Sequence, residues 1–253
     1  MLQSPHMTDA IILAAGKGSR MKSTDRNKCL LPLVGKPMLC YELESLSKLG
    51  IDKPVVVVGF ARESIEAELK DTVRYAVQLQ PDGTAKALEV ALPHLDPDTR
   101  EVIVLYGDHS AFYDEYVLRS LLDHHRSHHA DMTLVTVVME DPYNYGRIVR
   151  DEKGKIKEIV EEKNATEVQR QIKEINSGNG VYSLSFLKKL LPIIEKNELS
   201  GEYYLTDIVK LGLEKGYIVE TLVSHDEHLS MGVNTPQQYE AAQKAMEKKM
   251  RKA

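Results

Sequence analysis

Val55-Val-Val-Val58 has no polar face. A strand that is apolar at every residue must be covered on both sides, which is the condition of a parallel sheet sandwiched between helices. The same texture recurs in Ala10–Leu13, Glu101–Tyr106 and Met132–Val138. Between these runs lie segments with helical spacing. Pro37 opens one with Leu39, Leu43 and Leu46 on a common face, ending at Gly50; Arg62–Lys70, Thr84–Leu92 and Tyr113–His129 are others, and Arg74–Gln78 is a further strand. Such alternation predicts an α/β protein with a Rossmann-like, mostly parallel sheet and helices on both faces.

After about residue 140 the pattern loosens. Arg147–Val149 and Ile156–Val160 flank Asp151-Glu-Lys-Gly154 and predict a hairpin. Glu174–Leu184 predicts a strand interrupted by Gly178 and Gly180, and Phe186–Lys196, Thr206–Lys215 and Thr235–Lys249 predict helices. The last opens with a capping box, Thr235 to Gln238, and has Pro236 at its first position. Its stripe of Tyr239, Ala242, Met246 and Met250 can cover the chain's own core or a partner. No Pro/Ser-rich linker divides the chain. The residues before Met7 resemble a vector-derived leader, so Met7 is the expected natural start.

Charge and cysteine usage narrow the partners. A net charge of −5 with no basic stripe argues against nucleic acid as the main ligand. No apolar stretch reaches membrane-spanning length, and no basic-then-apolar leader is present. Cys29 and Cys40 have neither metal nor redox spacing. A cytoplasmic protein without a membrane partner is the expectation.

The first apolar run breaks into Gly16-Lys17-Gly18-Ser19-Arg20. Glycines there allow a sharp turn and close backbone approach, and two cations suit a polyphosphate. The loop is neither a Walker P-loop nor a dinucleotide fingerprint, and an ordinary βα turn with solvated cations fits it as well. Lys28, on the same connection, can hold a phosphate as a point charge or be a plain surface lysine. Gln78, with Gly83 and Thr84 five and six residues on, stands between a strand and a helix. Its amide can read a base edge, Gly83 admits close backbone approach, and the helix start supplies N–H groups; a turn with Thr84 as N-cap is the alternative. Asp108 ends a buried strand, where a carboxylate is a natural Mg2+ ligand or a helix cap. Asn234, ahead of the last helix, has the same two readings. Glu161, Asn176 and the N–H of Gly146 can hydrogen-bond sugar hydroxyls or an acetamido group, or serve as turn residues. His124/His128 and His125/His129 have i,i+4 spacing but lack the His-Glu-x-x-His glutamate, and read as a polar helix face.

Taken in order, these pieces resemble a known family. Leu13-Ala-Ala-Gly-Lys-Gly-Ser-Arg-Met21, Lys28 and Pro32-Leu-Val-Gly-Lys-Pro-Met38 resemble the signature of sugar-1-phosphate nucleotidyltransferases. Tyr106-Gly-Asp108, Tyr145-Gly-Arg-Ile148, Ile159-Val-Glu-Glu-Lys-Asn-Ala-Thr166, Gln171-Ile-Lys-Glu-Ile-Asn-Ser-Gly178, Gly201-Glu-Tyr-Tyr-Leu-Thr-Asp207 and Gly232-Val-Asn234 follow at similar spacing. The set is most similar to the pyrophosphorylase (uridyltransferase) domain of bacterial N-acetylglucosamine-1-phosphate uridyltransferase, over about Thr8 to Lys249.

The resemblance implies one nucleotidyltransferase domain over 7–253, with a nucleotide half to about 110, a sugar-phosphate half over about 111–234 and a closing helix. It implies a reaction of UTP with N-acetylglucosamine 1-phosphate, dependent on Mg2+, releasing pyrophosphate. Arg20 and Lys28 would act on the triphosphate beside Lys17 and Gly18. Leu13, Ala14, Ala15 and Gly16, with Gln78, Gly83 and Thr84, would hold the nucleotide. Asp108 and Asn234 would bind Mg2+, and Gly146, Glu161 and Asn176, with Tyr106 and Thr206 nearby, the amino-sugar. Other readings are glucose 1-phosphate or dTTP as substrate, or a catalytically silent nucleotide-sugar sensor; a homo-oligomer is compatible with all of them. Two departures stand out. The Arg20–Lys28 loop is one residue longer than in the similar proteins, with Asn27 where they have proline. Pro81-Asp82 and Ala85-Lys86 alter the base-binding loop. No hexapeptide repeats of an acetyltransferase are present within these 253 residues.

Overall fold

The structure is a computed structural model that describes residues 8–18, 21, 26–109, 111–198 and 200–251. The first half runs β1 (Thr8–Leu13), the two-residue strands β2 (Pro32–Leu33) and β3 (Lys36–Pro37), α1 (Met38–Ser47), β4 (Val55–Val58), α2 (Arg62–Leu69), β5 (Arg74–Val77), α3 (Thr84–Ala91), β6 (Glu101–Tyr106), α4 (Glu115–Ser127) and β7 (Met132–Val138). The second half adds β8 (Arg147–Arg150), β9 (Ile156–Val160), α5 (Glu167–Arg170), β10 (Glu174–Ser183), α6 (Leu184–Leu190), α7 (Asp207–Glu214), β11 (Val219–Ser224) and α8 (Pro236–Met250).

The main sheet has the order β11-β7-β10-β6-β1-β4-β5. β1 pairs in parallel with β4 and β6, β4 with β5, and β7 with β11. Full burial of the apolar runs follows from this arrangement. Ala10 and Ile12 of β1, with Val56 and Val58 of β4, face a core closed by α1, α2, α4 and α8. Ile11, Leu13, Val55 and Val57 face a second core closed by α3, α6 and α7. Alternate residues of one strand thus serve two cores, as the period of two requires.

The expected parallel alternation breaks at one place. β7 does not lie beside β6; β10 is inserted between them and is antiparallel to both. The insertion needs glycine. A Cβ at Gly180 would lie 2.6 Å from the Thr133 carbonyl of β7. The β10–β7 register shifts between Asn176 and Gly180, so the strand bulges where the glycines fall. The β8–β9 hairpin joins this strand through Arg147 and Ile175.

Several element ends differ from the pattern-based reading. The helix expected to start at Tyr113 starts at Glu115, because Asp114 caps it through Val117 N. Tyr113 is instead a core residue whose hydroxyl donates to Ser177 Oγ and the Leu229 carbonyl. The helix expected over 186–196 is α6 followed by a 3-10 turn, Leu191–Ile193, because Pro192 cannot donate to a continued helix. At α8 only half of the capping box forms as predicted. Thr235 accepts from Gln238 N, but the Gln238 amide oxygen accepts from Asn234 N rather than from the cap residue itself. That helix packs on its own chain. Ala242 and Met246 are buried, Gln243 Nε2 donates to the Pro32 carbonyl, and Lys249 pairs with Asp114. The histidine face is not uniformly polar either. His125 is buried against Thr133 of β7, while His124 and His128 stack at 4.1 Å. No group of three or more metal-type ligands forms among the described residues. No helix among them is long and apolar enough to cross a membrane.

Candidate active site

In open α/β sheets, ligands collect beyond the carboxyl ends of the parallel strands. Here a cavity of about 320 Å³ opens at those ends of β1, β5 and β6. Leu13, Ala14, Ala15, Gly16 and Lys17 form one wall, Gln78, Gly83 and Thr84 a second, and Tyr106 and Asp108 the floor, with Lys28 between. Eleven of the residues singled out from the sequence therefore share one cavity. Gly18 lies just behind it, where a Cβ would come within 3.2 Å of the Lys28 side chain. Ser19 and Arg20 lie outside the described residues.

Lys28 follows Asn27, which caps the 3-10 turn Lys28–Leu30 by accepting from Cys29 N. The Lys28 ammonium donates to Asp108 Oδ2 and, at 2.7 Å, to Asn234 Oδ1. Asp108 and Asn234 are also tied through the backbone, because Val233 N donates to the Asp108 carbonyl at 2.8 Å. Burial alone would raise the Asp108 carboxyl. His109, 3.2 Å away, and Lys28 outweigh that and hold it well below the usual carboxylate range. The carboxylate and the amide oxygen thus converge on one cation. Hard oxygen donors arranged in this way suit Mg2+, which takes few protein ligands and completes its octahedron with phosphates and water.

The Gln78–Thr84 loop is braced by a segment remote in sequence. Tyr203 N donates to the Asp82 carbonyl at 2.7 Å, and Ala85 N donates to the Tyr203 carbonyl at 3.0 Å. Gly83 has φ +105°, and a Cβ there would meet the Tyr203 carbonyl oxygen at 2.5 Å. Its close backbone approach is therefore to the protein itself, and at least one N–H of the α3 start is already used. Thr84 is not the helix cap, a place that Gly83 takes; its hydroxyl accepts from Leu205 N. Gln78 Nε2 donates to the Gly83 carbonyl at 3.1 Å, which aims the amide across the loop.

The remaining candidates gather on the far side of Tyr106. Tyr106, Asn176 and Thr206 line a narrow crevice with Ile159, Gly178 and Leu205. Gly146 sits at the hairpin base beside Glu161, whose Oε1 is 3.6 Å from a Cβ built on the glycine. Burial raises the Glu161 carboxyl, Lys163 opposes this and Asp207 adds to it. Burial pushes the Tyr106 hydroxyl up to about 12, although a hydrogen bond with Thr84 lowers it.

Pattern reading passed over some lining residues. Glu202, Cys29 and Ala87 line the cavity, as does Pro81 of the altered loop. The signal for Glu202 was present, since it lies within the Gly201–Asp207 motif. Asn179 carried no such signal, yet it is fully buried and its Oδ1 accepts from Tyr106 N, which fixes the strand end below the site. A larger concavity, about 720 Å³, opens at the opposite end of the sheet around Asp9, Arg74 and Arg126.

Fold and site together have the character of a nucleotide-handling α/β protein. Residues 9–248 match the Nucleotidyl transferase family, and the chain belongs to it. It is 39% identical over 241 residues to the Bifunctional protein GlmU of Geobacillus sp. (strain WCH70), covering 95% of this chain and 52% of that protein. It is 41% identical over 226 residues to the Bifunctional protein GlmU of Carboxydothermus hydrogenoformans, covering 89% of this chain and 50% of that protein. The chain thus spans about half the length of the curated relatives it matches. Among solved structures it superposes on a Bacillus anthracis protein assigned as a glucose-1-phosphate thymidylyltransferase, with a TM-score of 0.74, 21% identity and 94% of each chain covered.

Proposed function

We propose that the chain joins UTP and N-acetylglucosamine 1-phosphate into UDP-N-acetylglucosamine, with release of pyrophosphate. The observation that carries this reading is the convergence of Asp108 and Asn234 on Lys28, which with Asp108 lines the cavity bounded by Leu13–Lys17 and Gln78–Thr84. A phosphate monoester is already a nucleophile at neutral pH, so the reaction needs no strong base. One of its oxygens forms a bond to the α-phosphorus of UTP, and the bond from that phosphorus to the bridging oxygen of the β-phosphate breaks. What remains for the protein is in-line positioning and neutralisation of charge.

Leu13–Gly16 and Gln78 bound the space for base and ribose, and Lys17 stands where the phosphates would run. Lys28 supplies a positive charge at the transferring phosphoryl group, joined by Arg20 from the same loop. Asp108 and Asn234 are the residues that would hold Mg2+. When bound, the ion neutralises phosphate charge and orients the pyrophosphate leaving group. In the structure the Lys28 ammonium bonds both of these oxygens, so the two would-be ligands already share one cation. Glu161, Asn176, Gly146, Thr206 and Tyr106 surround the place for the sugar, where a carboxyl and an amide can bind hydroxyl and acetamido groups.

A second reading, the same transfer with glucose 1-phosphate or dTTP, draws on the altered Pro81-Asp82 loop and on the name of the Bacillus anthracis structure. One experiment separates the two: pyrophosphate release with Mg2+ across a matrix of nucleoside triphosphates and sugar 1-phosphates. Highest kcat/KM for UTP with N-acetylglucosamine 1-phosphate is the expected result. A preference for another pair selects the second reading, and silence across the whole matrix sinks both.

A further inference from the structure

Asn27 is a fully buried polar residue in the loop that carries Lys28. Its carboxamide and backbone N–H reach four separate places in the chain. Nδ2 donates to the Ala14 carbonyl at 2.8 Å and to the Phe60 carbonyl at 3.0 Å. Oδ1 accepts from Cys29 N at 3.0 Å, and Asn27 N donates to Ser64 Oγ at 3.0 Å. Ala14 is the first residue beyond β1 and lines the cavity, Phe60 follows β4, and Ser64 is in the first turn of α2. One side chain therefore ties two adjacent parallel strand ends to the turn that begins with Lys28.

Two N–H donors and one acceptor in a single planar group at this reach describe asparagine alone. Aspartate keeps the shape but turns lone pairs toward two carbonyl oxygens. Serine keeps an acceptor for the turn and loses the strap to Ala14 and Phe60. Proline, the residue found here in the resembling family, offers neither the amide nor the N–H. Buried in this way, the bonds have no water to compete with them, so they hold position tightly.

We infer that Asn27 is a positioning residue: by fixing the turn that begins with Lys28 against Ala14 and Phe60, it holds the Lys28 ammonium in its place at Asp108 and Asn234 beside the cavity. The inference rests on the role assigned to Lys28 above. It acts through backbone placement, without contact with substrate.

The test combines Asn27→Ser, Asn27→Asp and Lys28→Ala with two readouts. In turnover, Asn27→Ser should lower kcat by about 10-fold and leave KM for the sugar phosphate within about 3-fold, with a larger kcat loss for Asn27→Asp. In the Lys28→Ala background, Asn27→Ser should cost less than about 2-fold more, because the group it places is gone. The second readout needs no substrate. Acylation of Lys28 by a lysine-selective reagent, followed by peptide mapping, should speed up several-fold in folded Asn27→Ser as the ammonium loses its fixed place between Asp108 and Asn234. Losses that multiply in the double variant, or an unchanged acylation rate at Lys28, overturn the inference. Wild-type turnover in Lys28→Ala overturns the lysine's role itself, and is seen without any change at Asn27.

Discussion

The two ends of the main sheet both carry clustered charge, and they are built differently. At the amino ends of the parallel strands, Arg74 donates to Asp9, Asp96 and the carbonyls of Lys53 and His94. Arg126 there bonds to Glu101 and to Thr8 Oγ1, and Thr8 in turn donates to Glu101 at 2.6 Å. These guanidinium forks are held by carboxylates, carbonyls and a hydroxyl on several segments at once. At the carboxyl ends, a single lysine ammonium bridges a carboxylate and an amide beside the cavity. An ammonium is a point charge with no fixed fork, so it exchanges partners at low cost. The larger concavity thus belongs to forked, multiply bonded pairs, and the smaller one to a single point charge.

Substitutions at each end should therefore separate activity from stability. The largest effect is expected from Asp108→Ala, which should lower kcat by roughly 100- to 1,000-fold in steady-state assays. It should do so with a much smaller shift in the urea midpoint. An Asp108→Ala protein that turns over normally but unfolds early would erase the contrast. Next comes Asp9→Ala at the opposite end, which removes a buried acceptor from Arg74 Nη2 and Asp96 N and should cost about 2 kcal/mol by urea denaturation. Its kcat should stay close to wild type; a parallel loss of activity would show that the two ends are coupled.

The smallest effect is in pH. Burial lowers His125 to about 4, and it sits near Glu101 and Arg126 at the structural end. Its folded value lies below the unfolded one, so the unfolded chain takes up the extra proton between about 6.5 and 4. Stability should accordingly fall as pH drops through that window, by about 2 kcal/mol between pH 7 and pH 5. His125→Gln should flatten the slope over that range in urea melts, and an unchanged slope would remove His125 as its source. Asp108 is held well below the usual carboxylate range, so its carboxyl adds no slope between pH 7 and pH 5.

Much of this was legible in the chain, for reasons of range. Val55–Val58 and Glu101–Tyr106 declared burial on both faces, and all eight of the strand segments read from the sequence appear as strands. Asp108 and Asn234 could be nominated because each ends or precedes an element. The four-residue helix α5 left no periodic signal, although its capping box, Thr166 with Gln169, was written in the sequence. Gly83 lines the cavity, but that its Cβ side is closed by the Tyr203 backbone could not be read from the chain. His125 was read as polar surface because spacing along a helix does not say which face β7 will cover.

By itself the sequence determined the repeating units: which segments are strands, which are helices, which faces are apolar and where turns fall. Those follow from periods of two and of about 3.6 residues, which act over one or two turns of chain. Only the tertiary structure decided that β10 would part β6 from β7, and that Asn27 would strap β1 to β4. It alone brought Lys28 to Asp108, 80 residues on, and to Asn234, 206 residues on. The reason is physical. A pairing between distant side chains has no local signature; it exists once strand order has brought the loops to one end of the sheet, and strand order is settled by how two cores can be covered at the same time.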